Sequence, residues 1–139
     1  MKNLLLFFTL ILSVSCQEQK TETFDVNLLN GYWEIEQVTL ADGTLKKYKI
    51  NETIDFFEIK NDSGFRKKVT PQLNGSYLVN DLEEKIKVVK TSDGTYIIYQ
   101  TEFAKWKEKI KTLTKDQLIL ENEQQIQYQY KHPISFTKK

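Results

Sequence analysis

Cysteine, histidine and arginine each occur once in this sequence, proline occurs twice, and the two charge signs nearly cancel. The single cysteine, Cys16, excludes a disulfide framework and a paired-cysteine metal site. The single histidine, His132, stands beside Pro133 near the chain end and reads as a surface residue rather than a catalytic base. No HxH, HExxH, GxSxG or P-loop spacing occurs. The acidic run at Asp81, Glu83 and Glu84 reads as a solvated turn, since acid–base catalysis needs a buried carboxylate pair whose two pKa values are pushed apart. The chain is therefore expected to have no catalytic residue, no cofactor and no metal, and not to be an enzyme. Basic residues exceed acidic ones by 20 to 19, which excludes the clustered positive charge that phosphate binding requires. Arg66-Lys67-Lys68, with Phe65 before it, is the one basic run; strand alternation would divide it between two faces, as at a solvated edge. No nucleic acid partner is expected.

Long apolar stretches are also scarce. Leu4 to Leu12 is nine residues, broken only by Thr9, whereas a membrane-spanning helix needs about 20. With Lys2 before it and the small residues Ser13, Val14 and Ser15 after it, the run reads as a secretory signal. Cys16 directly behind it resembles the lipobox of bacterial lipoproteins, although Leu12 stands one position further from the cysteine than in the usual motif. The resemblance implies a lipid attached to Cys16, a membrane contact through that anchor, and a place in the bacterial cell envelope at the outer membrane. The expected organisation is a lipoprotein signal peptide over 1–15, a flexible tether over 16–24 and one domain over 25–139. Roughly 120 residues suffice for a single real core.

Within that domain, turn residues punctuate short β-rich runs at close intervals. Asp25 can cap a helical turn over 26–29 that Asn30-Gly31 stops. Strands are expected over 32–40, 45–50, 53–60, 65–70, 76–79, 84–90 and 95–101, separated by Asp42-Gly43, Asn51-Glu52, 61–64, Pro71 with Asn74-Gly75, Asn80-Asp81 and Asp93-Gly94. Residues 102–111 fit both periods: Phe103, Trp106 and Ile110 suit a helix, while Trp106, Glu108 and Ile110 suit one strand face. A helical turn over 102–105 followed by a strand to 113 is expected. A strand over 118–120 and the strict alternation of 125–130 complete the series. Eight or nine short strands without a βαβ pattern, joined by short hairpins and with no fixed repeat, predict an all-β, antiparallel up-and-down barrel.

Gly31-x-Trp33 after a helical turn resembles the opening of the lipocalins, whose first-strand tryptophan packs across the end of the barrel closed by that turn. The hairpin over 113–120 is similar to a late hairpin of bacterial lipocalin-like lipoproteins. Together, behind a lipoprotein signal, these features resemble the small lipocalin-like lipoproteins of Bacteroidetes-type bacteria. The resemblance implies a barrel of about eight strands. It also implies an arginine stacked on the tryptophan from the last strand; this chain has only Lys131 there, its one arginine being Arg66. The aromatic residues Trp33, Phe56, Phe65, Tyr77, Tyr96, Tyr128 and Tyr130 are expected to point to one interior, as a filled core or as the wall of a ligand cavity. Two function classes stay open. One is an envelope lipoprotein that binds a small apolar or amphipathic ligand. The other is a structural or interaction lipoprotein with a filled barrel that docks an envelope protein of unknown identity. If the barrel is hollow, its mouth is expected opposite the helical turn, near Val38, Leu40, Leu45 and Tyr48.

Overall fold

The computed structural model describes residues 22–134, so the signal segment and Cys16 lie outside the described residues. A 3-10 turn, Val26–Leu29, precedes ten strands: β1 (Gly31–Thr39), β2 (Leu45–Lys47), β3 (Ile54–Lys60), β4 (Ser63–Pro71), β5 (Tyr77–Val79), β6 (Glu84–Thr91), β7 (Gly94–Gln100), β8 (Lys105–Leu113), β9 (Gln117–Glu121) and β10 (Gln127–Lys131). All pairings are antiparallel, and β10 returns to β1, closing the sheet. Eight strands form the closed wall. The short β2 and β5 pair only with the far halves of β1 and β4.

One end of the barrel is plugged. The Asp25 carboxylate accepts the Asn27 N–H at 3.1 Å, capping the turn. Asn30 then acts as a surrogate strand residue, accepting the Ile59 N–H at 2.6 Å and donating to the Ile59 carbonyl at 3.2 Å. Gly31 turns the chain into β1 with φ of 113°, a conformation that suits glycine. Trp33 is fully buried, and its indole N–H donates to the Leu29 carbonyl at 2.8 Å, tying plug to wall. Around it pack Leu29, Phe57, Ile59, Ile86, Val88, Ile97, Ile110, Leu113, Leu118 and Leu120, with Phe24 and Val26 covering the cluster from the chain's entry.

Several expected elements differ locally. The strand expected over 45–50 stops at Lys47, and residues 48–50 carry their side chains into solvent. No helical turn forms over 102–105. The Thr101 hydroxyl oxygen accepts the N–H groups of Phe103 and Ala104 at 3.3 and 3.1 Å, making a tight turn instead. The last strand begins at Gln127 because Gln125 is left-handed (φ 62°), in a turn held by the Asn122 side chain.

The aromatic residues do not share one interior. Tyr32 pairs with Phe56, and Phe65 neighbours Phe56 at 6.2 Å, all on the outer face because Trp33, Asp55, Phe57 and Arg66 take the inner one. Tyr77 of β5 stacks on Tyr32 with ring centroids 4.1 Å apart, although β3 and β4 separate their strands in the sheet order. Tyr96 is outside as well, its hydroxyl donating to Asp93 at 2.7 Å beneath the ammonium groups of Lys107 and Lys109. The expectation that Phe56, Phe65, Tyr77 and Tyr96 line the interior is therefore corrected by the alternation of the strands that carry them.

Candidate functional site

The half of the barrel away from the plug is hollow. A cavity of about 480 Å³ opens there, lined by Ile35, Arg66, Lys68, Trp106, Glu108, Tyr128 and Tyr130 and, at its edge, by residues 122–124 of the β9–β10 turn. Its position opposite the 3-10 turn is where the sequence placed a mouth. None of the expected rim residues lines the cavity: Val38 is buried, Leu40 is half-buried, and Leu45 and Tyr48 are exposed between β1 and β3. Of the proposed site residues, Tyr128 and Tyr130 line the cavity, Trp33 belongs to the plugged end, and Phe56, Tyr77 and Tyr96 are outside.

The cavity floor is polar, which the sequence reading missed. Arg66 and Glu84 are cross-strand partners on β4 and β6, and the Arg66 Nε donates to Glu84 Oε2 at 2.5 Å. The guanidinium lies 4.3 Å over the Tyr99 ring, and Tyr99 stacks in turn on Trp106 at 5.3 Å. Nη1 approaches Glu108 Oε1 only to 3.6 Å, outside hydrogen-bonding distance. Asp55, buried on β3, is paired with the Lys68 ammonium. Burial pushes the Glu108 carboxyl above the ordinary carboxylate range, with Tyr99 and Arg66 pulling the other way. Burial, and then neighbouring carboxylates, keep the Tyr99 and Tyr130 phenols neutral far above neutral pH.

A signal for this floor was present. The parity that puts Trp106 and Ile110 on one face puts Glu108 between them. Likewise, Arg66 and Lys68 point inward and Lys67 outward, so the basic run is split, but its first member is a buried ion and not a solvated edge. Among the described residues no cluster of three or more His, Cys, Asp or Glu side chains is placed to hold a metal ion.

At the plugged end the ring that covers Trp33 is that of His132, tilted by 31° to it. The two rings lie 3.9 Å apart, and the histidine nitrogens Nδ1 and Nε2 stand 2.8 and 2.9 Å from the carbonyls of Tyr32 and Lys115. His132 thus covers the tryptophan where the lipocalin resemblance placed an arginine. Lys131 instead reaches toward Glu34 and Glu36, at 3.9 Å from each.

The family model of the lipocalin-like domain matches residues 29–120, from the last residue of the 3-10 turn through most of β9. The chain belongs to the lipocalin-like domain family. Among solved structures, this lipocalin-like chain is similar to a lipocalin-like protein from Bacteroides uniformis ATCC 8492. Identity there is 18% and the TM-score 0.49, over 76% of this chain and 99% of that one. It is similar also to an uncharacterized protein from Bacteroides eggerthii DSM 20697, at 14% identity, a TM-score of 0.49 and the same coverage. No curated protein matches it.

Proposed function

We propose that this lipocalin-like protein is a lipid-anchored envelope protein that holds a small amphipathic molecule in the open half of its barrel. The observation that carries the reading is the cavity of about 480 Å³, within the size range of small-molecule sites, whose wall joins Trp106, Tyr128 and Tyr130 to charged and amide side chains, as an amphipathic occupant requires. Anchorage rests on Cys16 behind an apolar signal, since stable membrane attachment takes two or more acyl chains at about 0.8 kcal/mol per buried CH₂. Native mass spectrometry of the purified protein tests the first part: a co-purified small molecule supports it. Absence of one, together with no thermal shift from any member of a panel of fatty acids, lysolipids, quinones and aromatic acids, removes it. Cys16→Ser tests the second. Release of the variant from membranes to the soluble fraction is expected, and unchanged membrane association refutes the anchor.

A second reading, docking to another envelope protein, is favoured by one observation. The exposed apolar side chains Leu45 of β2, Leu78 of β5, and Ile50, Leu73, Leu82 and Phe103 on the connections all lie toward the open end. Photo-crosslinkers placed at Leu73 and Phe103 in cells distinguish the readings. A single protein adduct, lost when crosslinkers move to the plugged end, supports docking; no adduct removes it.

A further inference from the structure

The floor of the cavity narrows the chemistry of its occupant. Arg66 is the only arginine of the chain, and its side chain is 9% exposed. Its Nε is committed to Glu84, yet among the described residues neither terminal nitrogen has a hydrogen-bond acceptor. A guanidinium in that position offers a planar pair of donors, the geometry that matches a carboxylate or a similar oxyanion. Stacking on Tyr99 and the bond to Glu84 fix its plane, so little ordering remains to be done on binding.

We propose, resting on the carrier reading, that the cavity takes a small organic oxyanion whose charged group seats on the terminal nitrogens of Arg66 while its apolar body lies against Trp106 and Tyr128. The competing acids are already engaged. Glu84 holds Nε and Asp55 holds Lys68, while Glu108, drawn on by Tyr99, stands 3.6 Å from Nη1, an ion pair too long for a hydrogen bond. Burial favours the protonated form of Glu108, which lessens its claim on the guanidinium. A cationic occupant would instead meet both Arg66 and Lys68 in the same chamber. A wholly apolar one would leave the two terminal nitrogens of the guanidinium without acceptors.

The test uses 2-naphthoate and its uncharged isostere 2-naphthamide, titrated calorimetrically into the full protein. Naphthoate is expected to bind, and the amide to bind about tenfold more weakly or less, the worth of a charge-assisted hydrogen bond. Because Arg66 is the sole arginine, labelling with ¹⁵N-arginine gives one guanidinium to follow by NMR without any substitution that could unfold the barrel. Its terminal-nitrogen signals are expected to shift with naphthoate and to stay in place with naphthamide. Trp106→Leu is expected to weaken both probes alike. Equal affinity for the two probes, or an Arg66 signal that does not move, overturns the inference. If decanol or a quinone binds while naphthoate does not, the inference fails and the carrier reading stands; if nothing in either panel binds, both fail.

Discussion

Glu108 lies between Trp106 and Ile110 on the inner face of β8, a carboxyl among rings and aliphatic side chains. Its proton is held more tightly in the folded barrel than in the unfolded chain. The stability this confers is complete below the ordinary glutamate pKa and is lost as pH rises through the elevated folded value. Glu108→Gln keeps the shape and removes the ionisation. The variant is expected to melt above the parent at pH 8, with the difference shrinking toward pH 4, as read by calorimetry across that range. A constant difference at all pH values would contradict the burial argument. His132 makes a different case. Its two ring nitrogens lie against the backbone carbonyls of Tyr32 and Lys115, so the ring joins the chain end to β1 and to the β8–β9 turn over Trp33. Trp33→Ala is expected to cost about 3–5 kcal/mol, the usual loss for a buried tryptophan. His132→Ala, which removes an exposed cover, is expected to cost about 1–2 kcal/mol. Urea unfolding measures both, and equal losses would mean that Trp33 does not hold the plug. The role of His132 was not legible in the sequence, and for Glu108 only the strand face it shares with Trp106 and Ile110 was. A lone histidine before a proline and a glutamate in an ambiguous segment acquire meaning only when strands distant along the chain are laid beside them.

At the level of elements, the hairpin of β3 and β4 is the most tightly specified. Asn61 and Asp62 are both left-handed (φ 52° and 63°), forming a two-residue turn whose twist matches the flanking strands. Gly64 follows, where an added Cβ would lie 1.8 Å from the Glu58 carbonyl oxygen. Gly64→Ala is therefore expected to cost about 3 kcal/mol, because backbone, not a yielding side chain, blocks it. Gly43→Ala meets nothing within 4 Å and strains only its own φ of 86°, for about 1–2 kcal/mol. The contrast is checked by their melting temperatures; similar losses would mean that the hairpin opens to admit the methyl group. Most strands were legible because their turn residues and two-residue alternation agree with each other. Two of the misassigned ends, at 102–105 and 125–126, are places where a side chain–backbone hydrogen bond or a left-handed residue overrides propensity. Alternation also states which residues share a face without saying which face is inner. That is why Phe56 and Tyr77 were assigned to the interior.

On the scale of the whole molecule, plug and mouth divide the barrel between them. The chain enters at the plug, where Phe24 and Val26 pack, so an anchor at Cys16 would hold that end toward the membrane and turn the mouth away from it. The seven residues between Cys16 and Phe24 reach roughly 3.5 Å each when extended, about the length of a nine-residue strand. The seam between β1 and β10 has a further consequence, in time. Glu34 cannot meet Lys131 until nearly the entire domain has been made, and until then β1 presents an unsatisfied edge along the half that β10 will cover. Most other pairings join neighbours in the chain and can form early; this one must wait for the longest loop to close. Refolding from urea is accordingly expected on the millisecond-to-second scale. In pulsed hydrogen exchange, the amides of Gln129 and Lys131 should gain protection after those of β6 and β7. Between those moments the newborn chain carries an adhesive strip, and its safety depends on how quickly the last strand arrives.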